Sequence, residues 1–499
     1  MMPKPPARWA ICRRIFETDD ERWLLGDLRM PICHGVDIEG LSIPQLQQCL
    51  ESRKFSVYDL TECYLERIRR INGVLKAVIE INPDALDIAA RMDCERNQGK
   101  YHGPLHGIPF LVKDIMSTKD KMQTTAGSSV LKDILLEAVN AGTHIYNLAE
   151  HPGGSSCGNN DARRPAVESL ALSQRFGLTN GKGVIPESRS LDSVGTLGKT
   201  VLDAAIALDG IVDSSAIPPC TPTVSGKETL RGAQFGLPWR GVWEKASQNE
   251  AARKHYQIFE QVIERIREAG ANVIEYTDFP SAEEIIPPGG WDWDYPTKQG
   301  HPEQSQFTVV KTEFYNDLKA YLGNLASNPN NISCLDDIVK YNERHAETEG
   351  GRPGVHPAWP SGQDSFEMSL DTKGVMDDTY RHALAYIRRK SREEGIDAAL
   401  STKDGNQLDG LLVPLQADGG VACQVAAKAG YPMITIPVGI ATGENDIPFG
   451  IGMIQTAWRE DKLIRYGSVI EDLLALKAKP TFKNIDADNY MYIGTPAKS

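Results

Sequence analysis

A lysine and a pair of adjacent serines are the groups in this chain best suited to do chemistry. Lys113 follows the apolar run at residues 108–112 and precedes Asp114. A run of that length fits one buried strand, and Pro104 and Gly107 break the chain before it. The lysine therefore sits at the mouth of an expected core strand. Burial penalises an ammonium ion, so a lysine in such a place can serve as a base. It equally fits a surface lysine that ends a strand. The serines, Ser155 and Ser156, lie in residues 151–158, which read H-P-G-G-S-S-C-G. A Gly-Gly-Ser-Ser turn can aim successive backbone N–H groups into one concavity, where they hold an anion or a developing oxyanion. Alone, that turn also fits a flexible loop.

Chain-wide properties bound what such groups could serve. At 499 residues the chain can bury a large core, as one big α/β domain or two to three smaller ones. Its 41% apolar and 24% charged residues are ordinary for a soluble globular protein. The net charge of −13 argues against nucleic acid or an anionic membrane as the main partner. No apolar run approaches the ~18 residues of a membrane helix. Lys4, Arg8, Arg13 and Arg14 precede no apolar stretch, so no secretory signal is expected. Nine cysteines without a C-x-x-C pair suggest free thiols in a reducing compartment, and a cytoplasmic location. The ten histidines show no H-E-x-x-H or other ligand spacing, so neither a metal nor a cofactor is expected.

The elements that must position Lys113 can be read in part. Residues 1–41 are irregular and give no pattern that places them in a core. Ser42 can cap a short helix through Leu50. Ser56, with Asp59 three residues on, reads as a helix start, and Gly73 as that helix's end. Residues 75–81 are strand-like. Asn82 caps a helix running to about Gln98, with Pro83 in its first turn. Residues 131–149 read as helix-like without a good strand. Further on, 200–211 and 249–269 read as helices, the latter closed by Gly270. Residues 234–238 and 272–279 read as strands. Residues 280–305 form a loop with Trp291 and Trp293, of the kind that can shape a pocket. Helices follow at about 308–323, 335–347 and 374–394. The last third alternates strands (410–415, 429–439, 448–455) with helices (421–429, 458–476). Apolar strands alternating with helices imply a large mixed sheet covered on both faces.

Residues 103–127 in full read G-P-L-H-G-I-P-F-L-V-K-D-I-M-S-T-K-D-K-M-Q-T-T-A-G. This resembles the lysine segment of the amidase signature family, the Ser-Ser-Lys amide hydrolases, in a fungal-type member. The family pattern is a G-P-L-H-G-I-P-like run into V-K-D, followed by a T-T-A-G-S-like turn. Residues 152–158 resemble the second family motif, P-G-G-S-S-x-G. The resemblance covers about residues 42–488 apart from 130–180. It implies the amidase signature fold, an α/β domain over residues 42–490 behind an N-terminal extension at 1–41. It implies Lys113 as the base and Ser155 as the serine that shuttles protons. Gly153, Gly154 and Ser156 would form the oxyanion and substrate loop. The implied partner is a small-molecule amide, cleaved to the acid and ammonia or an amine.

The third family element is a turn ending T-x-G-S-I or D-T-S-I, whose serine attacks the carbonyl. It should follow Ser155 by roughly two dozen residues, and this chain has no such turn. Residues 159–176 read N-N-D-A-R-R-P-A-V-E-S-L-A-L-S-Q-R-F. The resemblance then resumes at residues 177–179, 183–186 (G-V-I-P) and 190–195 (S-L-D-S-V-G), which match family segments beyond the nucleophile. The simplest reading is a deletion of a few tens of residues within 130–180. Counting on from Ser155 reaches Thr179, whose hydroxyl could attack given a base, although Thr179 also matches a family position after the lost block. Ser169, Ser173, Ser188, Ser190 and Ser193 are no better placed. Two other readings remain: a non-catalytic chain, either a catalytically impaired amidase-like protein or a sequence that lacks a segment of the true product, and the amidase component of a tRNA-dependent amidotransferase, which the acidic charge and the missing nucleophile turn do not favour.

Overall fold

The structure, a computed structural model, describes residues 30–118, 120–136, 147–151, 170–173, 178–179, 181–212, 226–286, 300–402, 404–415, 417–440 and 448–475. Trp291 and Trp293 of the expected pocket loop lie outside these residues, as do Ser155, Ser156, Gly153 and Gly154.

The N-terminal third is a helical layer with local start signals. A hairpin of β1 (Ile32–Cys33) and β2 (Val36–Asp37) precedes it. Cys33 and Ile38 are fully buried among Leu46, Phe55, Leu60 and Met92. The folded unit therefore begins before residue 42, because these apolar side chains fill a gap between the first helices. Helix Ile43–Glu51 starts at Ser42, whose N–H bonds Gln45 Oε1 at 2.8 Å. Helix Val57–Leu75 starts at Ser56, whose Oγ accepts from Asp59 N at 3.0 Å while Asp59 Oδ2 accepts from Ser56 N at 2.8 Å. Such reciprocal caps are worth about 1 kcal/mol. This helix runs past Gly73 to Leu75. It stops at Lys76 in the left-handed region, where Asn72 bonds both the N–H and the carbonyl of Val78 with its side chain. The strand expected over 75–81 is thereby reduced to β3 (Glu80–Ile81). Helix Ala85–Asn97 follows, with Asn82 Oδ1 accepting from Asp84 N.

β4 (Phe110–Lys113) forms where a strand was expected, whereas β5 (Leu135–Leu136) and β6 (Asn147–His151) correct the reading of residues 131–149 as strandless. The order of the small sheet is β3-β6-β4, with β6 antiparallel to β3 and parallel to β4. Local pattern did not mark β6, because N-L-A-E-H has little alternation and owes its place to its two partners.

The remaining strands are β7 (Leu170–Ser173), β8 (Thr196–Gly198), β9 (Gln234–Leu237), β10 (Asn272–Glu275), β11 (Leu325–Ser327), β12 (Gly410–Val413), β13 (Met433–Ile440) and β14 (Pro448–Ile454). β11 pairs with β5. The others form a seven-stranded sheet in the order β10-β9-β12-β14-β13-β7-β8, with parallel pairs at β10/β9 and β9/β12 and antiparallel pairs elsewhere. All four residues of β12 are buried. Successive strand side chains point to opposite faces, so both faces of this sheet are covered at β12. The mixed α/β architecture expected from the sequence is thus present. Helices Arg253–Glu268 and Glu460–Leu474 pack on β13. Helices Gln306–Leu322, Leu335–Arg344, Asp378–Ser391 and Val421–Ala429 form within a few residues of their expected positions.

Candidate functional site

Lys113 is the last residue of β4, and the turn that leads into this strand is tied down from two helices. Gln47 Nε2 donates to the carbonyls of Pro104 at 2.7 Å and His106 at 3.0 Å. Arg96 Nη1 donates to the same His106 carbonyl and to Gln47 Oε1, both at 3.0 Å. Gly107 has φ +85°, and a Cβ there would stand 2.6 Å from Val57 Cγ2, so both backbone angle and space call for glycine. Ile108 then buries itself in the helical layer.

β4 itself is not the buried core strand expected. It lies at the edge of its sheet, Phe110, Val112 and Lys113 are half-buried, and Leu111 is 48% exposed. The cause is topological: β4 joins the three-stranded sheet, and the covered faces belong to the seven-stranded one.

Beyond Lys113 the chain turns on Asp114, which is buried. Its carboxylate accepts from Thr125 N at 2.7 Å, Thr125 Oγ1 at 2.8 Å and Gly127 N at 3.1 Å. Ala126 N donates to the Asp114 carbonyl. Ala126 and Gly127 both have positive φ, +49° and +78°, which curls the turn so that the Thr125 and Gly127 N–H groups meet the carboxylate and the Ala126 N–H meets the Asp114 carbonyl. The T-T-A-G turn is thus held against the lysine by its neighbour in sequence. Ser128 and Ser129 donate to Glu349, the latter through Oγ at 2.6 Å. Met116 pairs with Val184, and Ile185 N donates to Ile115 O at 2.8 Å. The G-V-I-P segment therefore lies directly against the residues after Lys113. Ser117 Oγ meets Tyr321 OH at 3.2 Å. Burial raises the Tyr321 phenol above its ordinary pKa, and the Ser117 contact opposes this.

The parallel pair β4/β6 aligns Lys113 with His151. Two parallel strands finish at the same edge, and His151 is the residue that precedes the P-G-G-S-S run in sequence. Ser155 itself is outside the described residues. Thr179 is half-buried and bridges to Val212, in a different pairing from that of β4 and β6.

Ser188 and Ser190 are committed elsewhere. Both hydroxyls donate to Glu313, at 2.5 and 2.6 Å, and Ser190 N and Tyr380 OH donate to it as well. Glu313 is fully buried. Burial works to raise its pKa, yet the donors Ser188, Ser190 and Tyr380 prevail and hold the carboxyl below the usual range. Sequence reasoning missed Glu313, Tyr321, Glu349 and Tyr380. Each lies far along the chain from a group it holds, and no local spacing marks it. Ser193 is exposed, Ser173 lies in β7, and Ser169 is outside the described residues.

The likeness to known proteins can be set against this geometry. A model of the amidase family matches residues 59–139, the stretch that carries Lys113 and the Asp114-bound turn. A Schizosaccharomyces pombe protein named provisionally as an amidase is 37% identical over 538 aligned positions, with 92% of this chain and 90% of that protein covered. This chain belongs to the amidase family. An Arabidopsis thaliana protein, also named provisionally as an amidase, is 29% identical, over 89% of this chain and 92% of its own length. Among solved structures, the peptide amidase of Stenotrophomonas maltophilia is 25% identical with a TM-score of 0.70, and 88% of this chain and 98% of that one are covered. The alignment with the Schizosaccharomyces pombe protein is longer than this 499-residue chain, although only 92% of the chain takes part. That relative therefore carries a substantial stretch without a counterpart here.

Proposed function

We propose that this amidase-family chain hydrolyses small carboxylic amides, with Lys113 as the base and Ser155 as the proton shuttle. The observation that carries the reading is the register of β4 against β6. It aligns Lys113 with His151, the residue that precedes the P-G-G-S-S run in sequence, and the Asp114-bound turn adjoins the same lysine. In this mechanism Lys113 takes a proton through the Ser155 hydroxyl from the attacking group and returns it to the departing nitrogen. Backbone N–H groups of residues 153–156 hold the oxyanion. An acyl-enzyme forms as ammonia or an amine leaves, and water then releases the acid. The described cysteines are free, which supports a reducing, cytoplasmic setting. No described helix is long and apolar enough to cross a membrane. Purified protein should release ammonia from simple aliphatic or aryl amides, and Lys113→Ala should abolish the release while leaving the melting temperature within a few degrees.

A second reading concerns the attacking group. The overhang of the longer relative and the end of the family match at residue 139 favour loss of the nucleophile-bearing block from this chain. Removing a nucleophile costs on the order of a million-fold in rate while binding and oxyanion contacts persist. Under this reading a fluorophosphonate probe leaves the protein unlabelled and a broad amide panel yields no ammonia. Sequencing the transcript across residues 128–182 separates a true deletion from a longer message that encodes a G-S-I or T-S-I turn.

A further inference from the structure

The turn before β4 holds a cluster that the amide chemistry does not use. Glu95 lies in the last turn of helix Ala85–Asn97, and His102 and His106 lie in the loop that runs from it to β4. Their ligating atoms converge. His102 Nε2 is 3.4 Å and His106 Nε2 is 3.3 Å from the same oxygen, Glu95 Oε2. One atom of each residue lies within 4.8 Å of the other two. The two rings stand 4.9 Å apart, tilted by 59°.

The His106 side chain is 1% exposed. Its Nε2 and Glu95 Oε2 are both buried and stand 3.3 Å apart, yet neither makes a well-formed hydrogen bond to the other or to any further group. A buried nitrogen lone pair or N–H left without a partner costs on the order of 1–3 kcal/mol. Buried polar atoms in this state call for an explanation, and an ion is one of them. The spacing identifies which ion. With metal–ligand bonds of about 2.0–2.1 Å at tetrahedral angles, neighbouring ligand atoms stand about 3.3–3.4 Å apart. Both distances to Glu95 Oε2 have that length. Two imidazoles and one carboxylate are a donor set suited to Zn²⁺.

We propose that Glu95, His102 and His106 bind one Zn²⁺, which pins the end of helix Ala85–Asn97 to the turn that sets the base of β4. His102 is 44% exposed at its side chain, so the site opens to solvent on that side and leaves the fourth position to water. Arg96 brings a positive charge nearby, but its guanidinium is turned to the His106 carbonyl and Gln47, and the Glu95 carboxylate offsets it. Ligation through Nε2 puts the His106 proton on Nδ1, which gives up only a long 3.4 Å contact from His102 N. The sequence reading, which found no H-E-x-x-H or other ligand spacing, passed over this set: His102 and His106 stand four apart in a loop, and the carboxylate lies seven residues before His102.

The test uses the full chain, stripped with a chelator and titrated with Zn²⁺ in a calorimeter, with Co²⁺ as a visible-absorption probe of tetrahedral geometry. The expected result is one tight site per chain, an intense tetrahedral Co²⁺ spectrum and a Zn²⁺-dependent rise in melting temperature. Glu95→Gln and His102→Gln should each weaken binding at least tenfold and remove the thermal shift. His102 is largely exposed, so that variant keeps its fold even where a change at the buried His106 would not. No stoichiometric binding, or equal affinity in wild type and both variants, overturns the proposal. None of these readouts depends on amide hydrolysis.

Discussion

Two sheets of this protein are held by different forces. The seven-stranded sheet is an apolar object. Phe235, Leu411, Leu412, Val413, Ile434, Ile436, Ile451, Met453 and Ile454 are fully buried, and no polar group is needed to orient them. In the three-stranded sheet that carries Lys113, β3 and β4 contribute no fully buried side chain. Its geometry comes from directional bonds: Gln47 and Arg96 on the turn before β4, Asp114 on the turn after it, and Glu80 Oε2 accepting from Gln123 N at 2.8 Å. Apolar burial supplies most of the stability but tolerates small shifts. Hydrogen bonds add about 1 kcal/mol each yet fix positions to a fraction of an ångström. The edge that carries Lys113 thus rests on a few polar residues, while the bulk of the fold rests on many apolar ones.

The largest expected effect tests the apolar half of that contrast. Ile434→Ala should cost about 3–5 kcal/mol in denaturant unfolding, through lost transfer energy and a cavity. Leu111→Ala, on the exposed position of β4, should cost less than about 0.5 kcal/mol. Similar losses at both positions would mean that β4 is as tightly packed as β13.

Glu313→Ala should come next, at about 2–4 kcal/mol, because it strands the buried hydroxyls of Ser188, Ser190 and Tyr380 without an acceptor. The sign of its pH dependence is fixed by the lowered carboxyl pKa. A lowered folded-state pKa gives stability that is present above the ordinary carboxylate range and lost as pH falls through the folded value. Acid unfolding curves of the wild type should therefore show a steep loss below about pH 4 that Glu313→Gln lacks.

Asp114→Ala should destabilise by about 1–3 kcal/mol, since three donors of the 125–127 turn lose their acceptor. In an active preparation it should lower kcat more than it raises KM, because it disturbs the seating of the lysine edge. An unchanged kcat would sever the link between this turn and the site.

The smallest effect concerns a carboxyl on the apolar side. Glu471, in helix Glu460–Leu474, caps the N–H of Val201, and burial, with Asp472 and Asp203 nearby, raises its pKa to about 7. A raised folded-state pKa gives stability that is complete below the unfolded value and is lost as pH rises through the folded one. Glu471→Gln should match the wild type near pH 4 and exceed it near pH 8 by on the order of 1–2 kcal/mol. Equal stabilities at pH 8 would mean that the carboxylate pays no burial cost there.

Much of this molecule was legible locally. Ser42, Ser56 and Thr200 announced helices because a cap acts within three residues. Strands β12, β13 and β14 were readable because burial on both faces forces near-continuous apolar runs. Residues 103–127 carried the family likeness because turn chemistry and the lysine are contiguous there. The extent of helix Val57–Leu75 was not, since it depends on how Asn72 folds back onto Val78.

By itself, then, the sequence determined which segments become helices and core strands, that Lys113 ends a strand, and which family the chain resembles. The physical reason is that caps, glycine turns and hydrophobic period act over a few residues. Only the tertiary structure decided that β4 is an edge strand paired in parallel with β6. It alone bound Asp114 to the 125–127 turn, set Glu313 under two loop serines, and turned two loop histidines toward Glu95. Those arrangements depend on distances between groups far apart in the chain or hidden in irregular backbone, where no short-range pattern constrains them.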